Sequence, residues 1–307
     1  MPLTKSDIPD LLLPGLKAEF ALAYQEQLNA NVAEQLATVV STTLPTQKYA
    51  WLGAVPPMRE FIDERRPSGL SAYALSIEDK VFESTIAVDR KAIEDDQVDL
   101  IRLRVRDLAY RIAQHRHQMV VEALAAGFAS NAYDGVSFFH TAHPLPGGST
   151  YGNKTTDGLS ASSLGAAISA MMTVPDDQGI PLGIVPDTLV VGPKTMWTAL
   201  ELVESPVVVD MAGDPRTDYA NVFKGRLKVV VSPFLRDTSD DYWFVLDTKR
   251  PIKGLILQQR SDVPVEFTAM ESANSDSGFM RDRYHYGVRA RYNVGYGLWQ
   301  AAYGGVL

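Results

Sequence analysis

One segment restricts the fold more than any other: "DDQVDLIRLRVRDLAYRIAQHRHQMVVEALAAGF", residues 95–128. Val98, Ile101, Val105, Leu108, Ile112 and Met119 recur at spacings of three, four and seven, the period of one helix face. Glu94, Asp95, Asp96 and Asp99 crowd its start, and Arg111, His115, Arg116 and His117 follow, an order that suits the helix macrodipole. A helix from Asp96 to Gly127 would be about 48 Å long, whereas a domain of ~100 residues is only ~34 Å across. The chain must therefore be built around this helix as a spine.

Before the spine, Pro14-Gly15 precedes a helical pattern with Leu16, Phe20, Tyr24, Leu28 and Leu36 on one side, and Pro45 ends the region. This reads as an arm. "YAWLGAVPPMREF" then runs extended. "MREFIDERR" and "VFESTIAVD" favour strands, joined by "PSGLSAYALSIEDK", and predict a projecting hairpin over residues 58–89 with little of its own to bury.

After the spine, "FFHTAHPLPGG" and "PLPGGSTYGNKTTDGLSASS" form a long polar connection, and a domain boundary is expected near Leu159. Helix and strand patterns then alternate. "SASSLGAAISAMMTV" is helical with Ser160 or Ser162 as cap, "DTLVVG" is a buried strand, and "PKTMWTALELVES" is a helix with Pro193 in its first turn. "RLKVVVSPFL", "DYWFVLD" and the segments after residue 250 are strands. The class is α+β, with 307 residues sufficient for one large or two modest cores.

The chemistry that the sequence excludes is informative. There is no cysteine, so disulfides, thiolate nucleophiles and Cys-type zinc sites are absent. The net charge of -8 suits a nucleic-acid grip poorly. No apolar run reaches the ~18 residues of a membrane helix, and the N-terminus lacks a signal-peptide pattern. His140 and His143 could be two metal ligands, but a site needs three or four, and H-E-x-x-H is missing. They read as loop histidines bonded locally. His115 and His117 flank Arg116 and point to different faces of the spine. His285 stands alone among tyrosines. Glu94, Asp95, Asp96 and Asp99 suit a helix N-terminus without a cation, and "RARY" is too small a basic patch for nucleic-acid recognition. No G-x-S-x-G elbow, P-loop or G-x-G-x-x-G occurs. No catalytic residue, cofactor-binding residue or metal ligand is assigned, and the chain reads as a structural or assembly protein rather than an enzyme.

Order and wording together suggest a family. "WLGAVPPMREFIDER", "KVFESTIAVDRKAIEDDQ", "YDGVSFFHTAHP" and "RYNVGYGLWQAAYGG" resemble the Mu-like prophage major head subunits of the gpT type, within the Hong Kong 97-like capsid fold. The resemblance implies an N-terminal arm (1–55), an extended E-loop hairpin (56–90), a peripheral P-domain (91–157 and 250–307) and an axial A-domain (158–249). It implies self-assembly through pentamers and hexamers into an icosahedral shell that encloses double-stranded DNA, within a virion assembled in the host bacterial cytoplasm. A separate scaffold or protease, a portal and decoration proteins would be its partners, with no membrane and no cofactor. Arm and hairpin would lie across neighbouring subunits. Lys80 and Lys91 lie by the hairpin, but nothing marks either for the covalent crosslink of some relatives. Where the family has an acidic residue, as in "FFDTDHP", this chain has "FFHTAHP", so the loop is expected to hold no single fixed polar contact. The alternatives are an encapsulin-like nanocompartment or a metal-dependent enzyme using His140 and His143.

Overall fold

The computed structural model describes residues 8–52, 72–89, 91, 98–145, 148–176, 179–206, 221–236, 241–262, 265–270 and 275–306. The chain opens with helix α1 (Ile8–Ala30), a single turn α2 (Ala33–Leu36) and strand β1 (Ala37–Thr42). α1 starts before Pro14 and runs through it, forfeiting one helical hydrogen bond because proline has no backbone N–H to donate. Strands β2 (Thr46–Leu52), β3 (Ala72–Glu78) and β4 (Lys80–Asp89) follow, then the spine helix α3 (Val98–Ala126). α3 has 29 residues, about 44 Å; Asp96 and Gln97, where the sequence pattern starts the helix, lie outside the described residues.

α3 spans two packing regions. Its first half buries Ile101, Val105, Leu108 and Ile112 against Leu16, Phe20 and Ala23 of α1. Its second half buries Val120, Val121 and Leu124 in a larger cluster that continues into the rest of the chain. The apolar face of the arm is thus covered by its own chain, contrary to the expectation that it lies across a neighbour. Phe20 also stacks on Phe267, with ring centroids 5.2 Å apart. Arg116 fastens the arm, donating to the Tyr24 hydroxyl and to Glu34, each at 3.1 Å.

The hairpin also differs from expectation. β2 pairs antiparallel with β3, from Thr46 opposite Glu78 to Leu52 opposite Ala72. "MREFIDERR" lies outside the described residues. β4 does not join this ribbon; it pairs along its whole length with β13 (Arg283–Tyr296). Alternation of polar and apolar residues fixes a strand's two faces but not its partner. The root of the ribbon is held by Ile77, buried over Gly295, where a Cβ would come within 2.4 Å of the isoleucine Cδ1.

Two five-stranded sheets organise the remainder. In the first, β1 runs parallel to β11 (Leu255–Arg260), and β13 pairs antiparallel with β11, β12 (Val265–Met270) and β4. β1, though part of the arm by sequence, is therefore a strand of this sheet. The short helix α6 (Asp276–Arg281) leads into β13. The second sheet has the order β7 (Lys154–Thr155), β14 (Ala302–Gly305), β10 (Trp243–Leu246), β8 (Thr188–Val191), β9 (Lys228–Val231). All four residues of β8 and of β10 are buried, as continuous apolar strands require. The last strand, β14, thus joins the second sheet instead of returning to the first. Helices α4 (Ala161–Thr173) and α5 (Met196–Glu204) belong to this half. Ser160, not Ser162, caps α4, in a capping box with Ser163. Pro193 sits in the turn ahead of α5. Among the described residues no helix is long and apolar enough to cross a membrane.

Candidate functional site: the polar joint between the sheets

The connection after α3 is not a surface linker. "NAYDGVS" closes a tight turn: Gly135 takes φ +89°, a conformation open to glycine, and Asp134 Oδ1 accepts from the Val136 N–H at 3.3 Å. Phe138 and Phe139 follow, both fully buried. Phe138 stacks on Tyr296 of the first sheet, at 4.7 Å, and Phe139 packs on Phe244 of the second, at 5.3 Å. Gly127 makes room for Phe139, since a Cβ there would sit 2.9 Å from its ring. The two phenylalanines thus face different sheets.

The polar part of the joint rests on Asn153 and His143. The Asn153 amide nitrogen lies within bonding distance of the carbonyls of Phe138, Trp299 and Ala302, at 2.9, 3.2 and 3.2 Å. Its Oδ1 accepts from the His140 N–H at 2.9 Å and from His143 Nε2 at 3.0 Å. Three carbonyls on the nitrogen side fix the amide orientation, so His143 Nε2 carries a proton. Its Nδ1 lies 2.5 Å from Asp134 Oδ2, within hydrogen-bond distance. The His143 ring is 0% exposed and lies flat on Trp299, centroids 3.9 Å apart and planes 5° apart. Tyr133 adds a contact between its hydroxyl and Gln300 at 3.1 Å.

This corrects two expectations. The loop holds a definite polar network, its acid supplied by Asp134, nine residues before His143, rather than by the next position along. His143 is no surface residue. His140 accepts from the Ala142 N–H through its Nδ1 at 3.0 Å; its ring centroid is 5.9 Å from that of His143. With both His143 nitrogens engaged, the pair offers no shared lone-pair geometry for a metal. Among the described residues there is no group of three or more His, Cys, Asp or Glu side chains that could hold one. What the arrangement can do is hold: it pins the loop, β7 and the approach to β14 together with buried, charge-assisted hydrogen bonds.

The other singled-out residues fall elsewhere. His115 Nδ1 meets the Tyr292 hydroxyl at 2.8 Å and its ring packs on Phe82, on the side of the first sheet. His117 sets its ring edge-on to Phe234, centroids 5.2 Å apart. Burial pushes both imidazoles below their usual pKa. Burial likewise pushes the Tyr292 hydroxyl up. His285 is half-buried near the start of β13. Glu94, Asp95 and Asp96 lie outside the described residues, and Asp99 pairs with Arg102 at 3.5 Å. Of "RARY", Arg291 is committed to Asp79 at 2.7 Å. Sequence reasoning missed Asp134, Asn153 and Arg116. The available signal was Asp134 itself, within the quoted "YDGVSFFHTAHP".

Comparison with known proteins supplies the family. The model of the Mu-like prophage major head subunit gpT matches residues 10–158, 149–235 and 236–306. The Mu-like prophage FluMu major head subunit of Haemophilus influenzae is 27% identical over 270 residues, covering 88% of this chain and 64% of that protein. The major capsid protein of Escherichia phage Mu is 24% identical over 268 residues, 87% of this chain and 64% of that one. The chain thus spans just under two thirds of the length of these two relatives. Among solved structures, the procapsid of bacteriophage JBD30 aligns with a TM-score of 0.57 and 27% identity, covering 97% of this chain and 75% of that one. With the match running through spine, joint and both sheets, the chain belongs to the Mu-like prophage major head subunit gpT family.

Proposed function

We propose that the chain is the building unit of a phage head, self-assembling into a closed icosahedral shell around double-stranded DNA. The observation that carries this reading is the family match, which extends over residues 10–306. The buried joint supports it, since it stiffens the chain and leaves His143 closed to any substrate. In this reading α3 is the spine. The first sheet, with residues 91–157 and most of 250–307, forms the peripheral P-domain. Residues 158–249 form the axial A-domain, to which β14 is lent. The β2–β3 ribbon is the root of the E-loop, β4 carries the chain back into the first sheet, and α1 with β1 forms the arm. Pentamers and hexamers close through repeated modest contacts, with DNA enclosed rather than recognised. A separate scaffold or protease, a portal and decoration proteins complete the head, which forms in the host bacterial cytoplasm and resides in the virion.

Negative-stain microscopy of the purified chain tests this. Closed shells or rings of five and six are expected. A protein that stays monomeric at every concentration and salt condition would remove the reading.

A further inference from the structure

The side of α3 turned away from the core carries a second periodic pattern, unused by the fold or the joint. Leu100, Leu103 and Tyr110 are 50%, 61% and 45% exposed. With Asp107, also exposed, they fall at successive a and d positions of a heptad, the seam by which one helix receives another. Arg104 and Arg111 then occupy e positions and Arg106 a g position. Arg106 is held by Glu19 of α1. Arg104 and Arg111 are exposed and have no ion-pair partner among the described residues.

α1 supplies a second wall. Glu19 meets Arg106, and Tyr24 meets Arg116, so the two helices run side by side in one direction. Leu22, 65% exposed, lies on α1 between the residues that make those two contacts. Single exposed apolar residues are ordinary. Four on adjoining helices, edged by arginines, form a docking surface.

We propose that this α1–α3 face seats an acidic amphipathic helix of a separate protein. Its apolar a and d residues would cover Leu100, Leu103 and Tyr110, and carboxylates at its edges would face Arg104 and Arg111. Two copies of the same face would set arginine against arginine, which discriminates against self-pairing. Duplex DNA would satisfy the arginines but leave the apolar seam uncovered. From Leu100 to Tyr110 the seam is about 15 Å long, so a single site is weak. Repetition over a shell would strengthen it by avidity, and that part alone rests on the capsid reading.

The test uses the full chain and a fluorescent synthetic peptide of about three heptads, with leucine at a and d and glutamate at e and g. A peptide with lysine at e and g is the control, and a short DNA duplex is a third probe. Fluorescence anisotropy should show binding of the acidic peptide only, weakening as salt rises. Leu103→Ser with Tyr110→Ser should weaken it at least about tenfold, a shift easily resolved in Kd. Arg104→Glu with Arg111→Glu should transfer the preference to the lysine peptide. These residues are exposed, so thermal melting of each variant should match the parent. Equal binding of both peptides, or binding of neither, overturns the proposal. DNA binding lost in the arginine variant, without acidic-peptide binding, would assign the face to phosphate. Dimerisation lost in Leu103→Ser with Tyr110→Ser would assign it to a second copy.

Discussion

Removing the imidazole of His143 would leave the Asp134 carboxylate, 5% exposed, without its hydrogen-bond partner in a buried site. Breaking a buried pair from one side costs about 3–5 kcal/mol. His143→Ala should therefore lower the unfolding free energy by that order, while His140→Ala, which loses one local hydrogen bond, should cost about 1 kcal/mol. Urea unfolding of both variants decides; equal losses would mean that the joint does not turn on His143. A second residue-scale consequence concerns pH. His115 and His117 are both held neutral by burial, so their folded pKa values lie below the ordinary ~6.5. Between folded and unfolded values the unfolded chain binds more protons, so stability is full above about 6.5 and declines as pH falls through that window. Melting temperature measured from about pH 8 to about pH 5 should fall more steeply in the parent than in a His115→Gln, His117→Gln double variant. Parallel slopes would exclude these two groups as the cause.

The elements were legible where a residue's surroundings are local. α3 followed from a 3.6-residue period, and β8 and β10 from short, largely apolar runs. The arm was legible as a helix but not as to what covers it: Leu16 and Phe20 meet Ile101 and Val105 across more than eighty residues of chain. Phe20→Ala should destabilise the isolated subunit by about 3–5 kcal/mol, the usual cost of emptying a buried aromatic site. Calorimetry on unassembled subunits checks this. A variant that melts like the parent when isolated, yet builds fragile shells, would return the arm to a role between subunits.

At the scale of the whole molecule, the joint was invisible in the sequence for one reason. Asp134, His143, Asn153 and Trp299 are brought together by a turn, a buried amide and the return of the chain from residue 296 onward, and no short-range pattern encodes that meeting. The two glycines of β14 show the same thing: at Gly305 a Cβ would lie 2.1 Å from the Trp243 ring, and at Gly304 one would lie 2.9 Å from Phe139. In the sequence they look like an unremarkable small-residue ending. β14 also has a consequence in time. It lies inside the second sheet, between β7 and β10, while its partner β7 was made about 150 residues earlier. At ~5–20 residues per second of synthesis, that sheet waits with an open slot for seconds after most of its strands exist. A ribosome that stops short of Ala302 releases a chain whose second half cannot close, so the synthesis of β14 itself becomes a checkpoint on which subunits are fit to assemble.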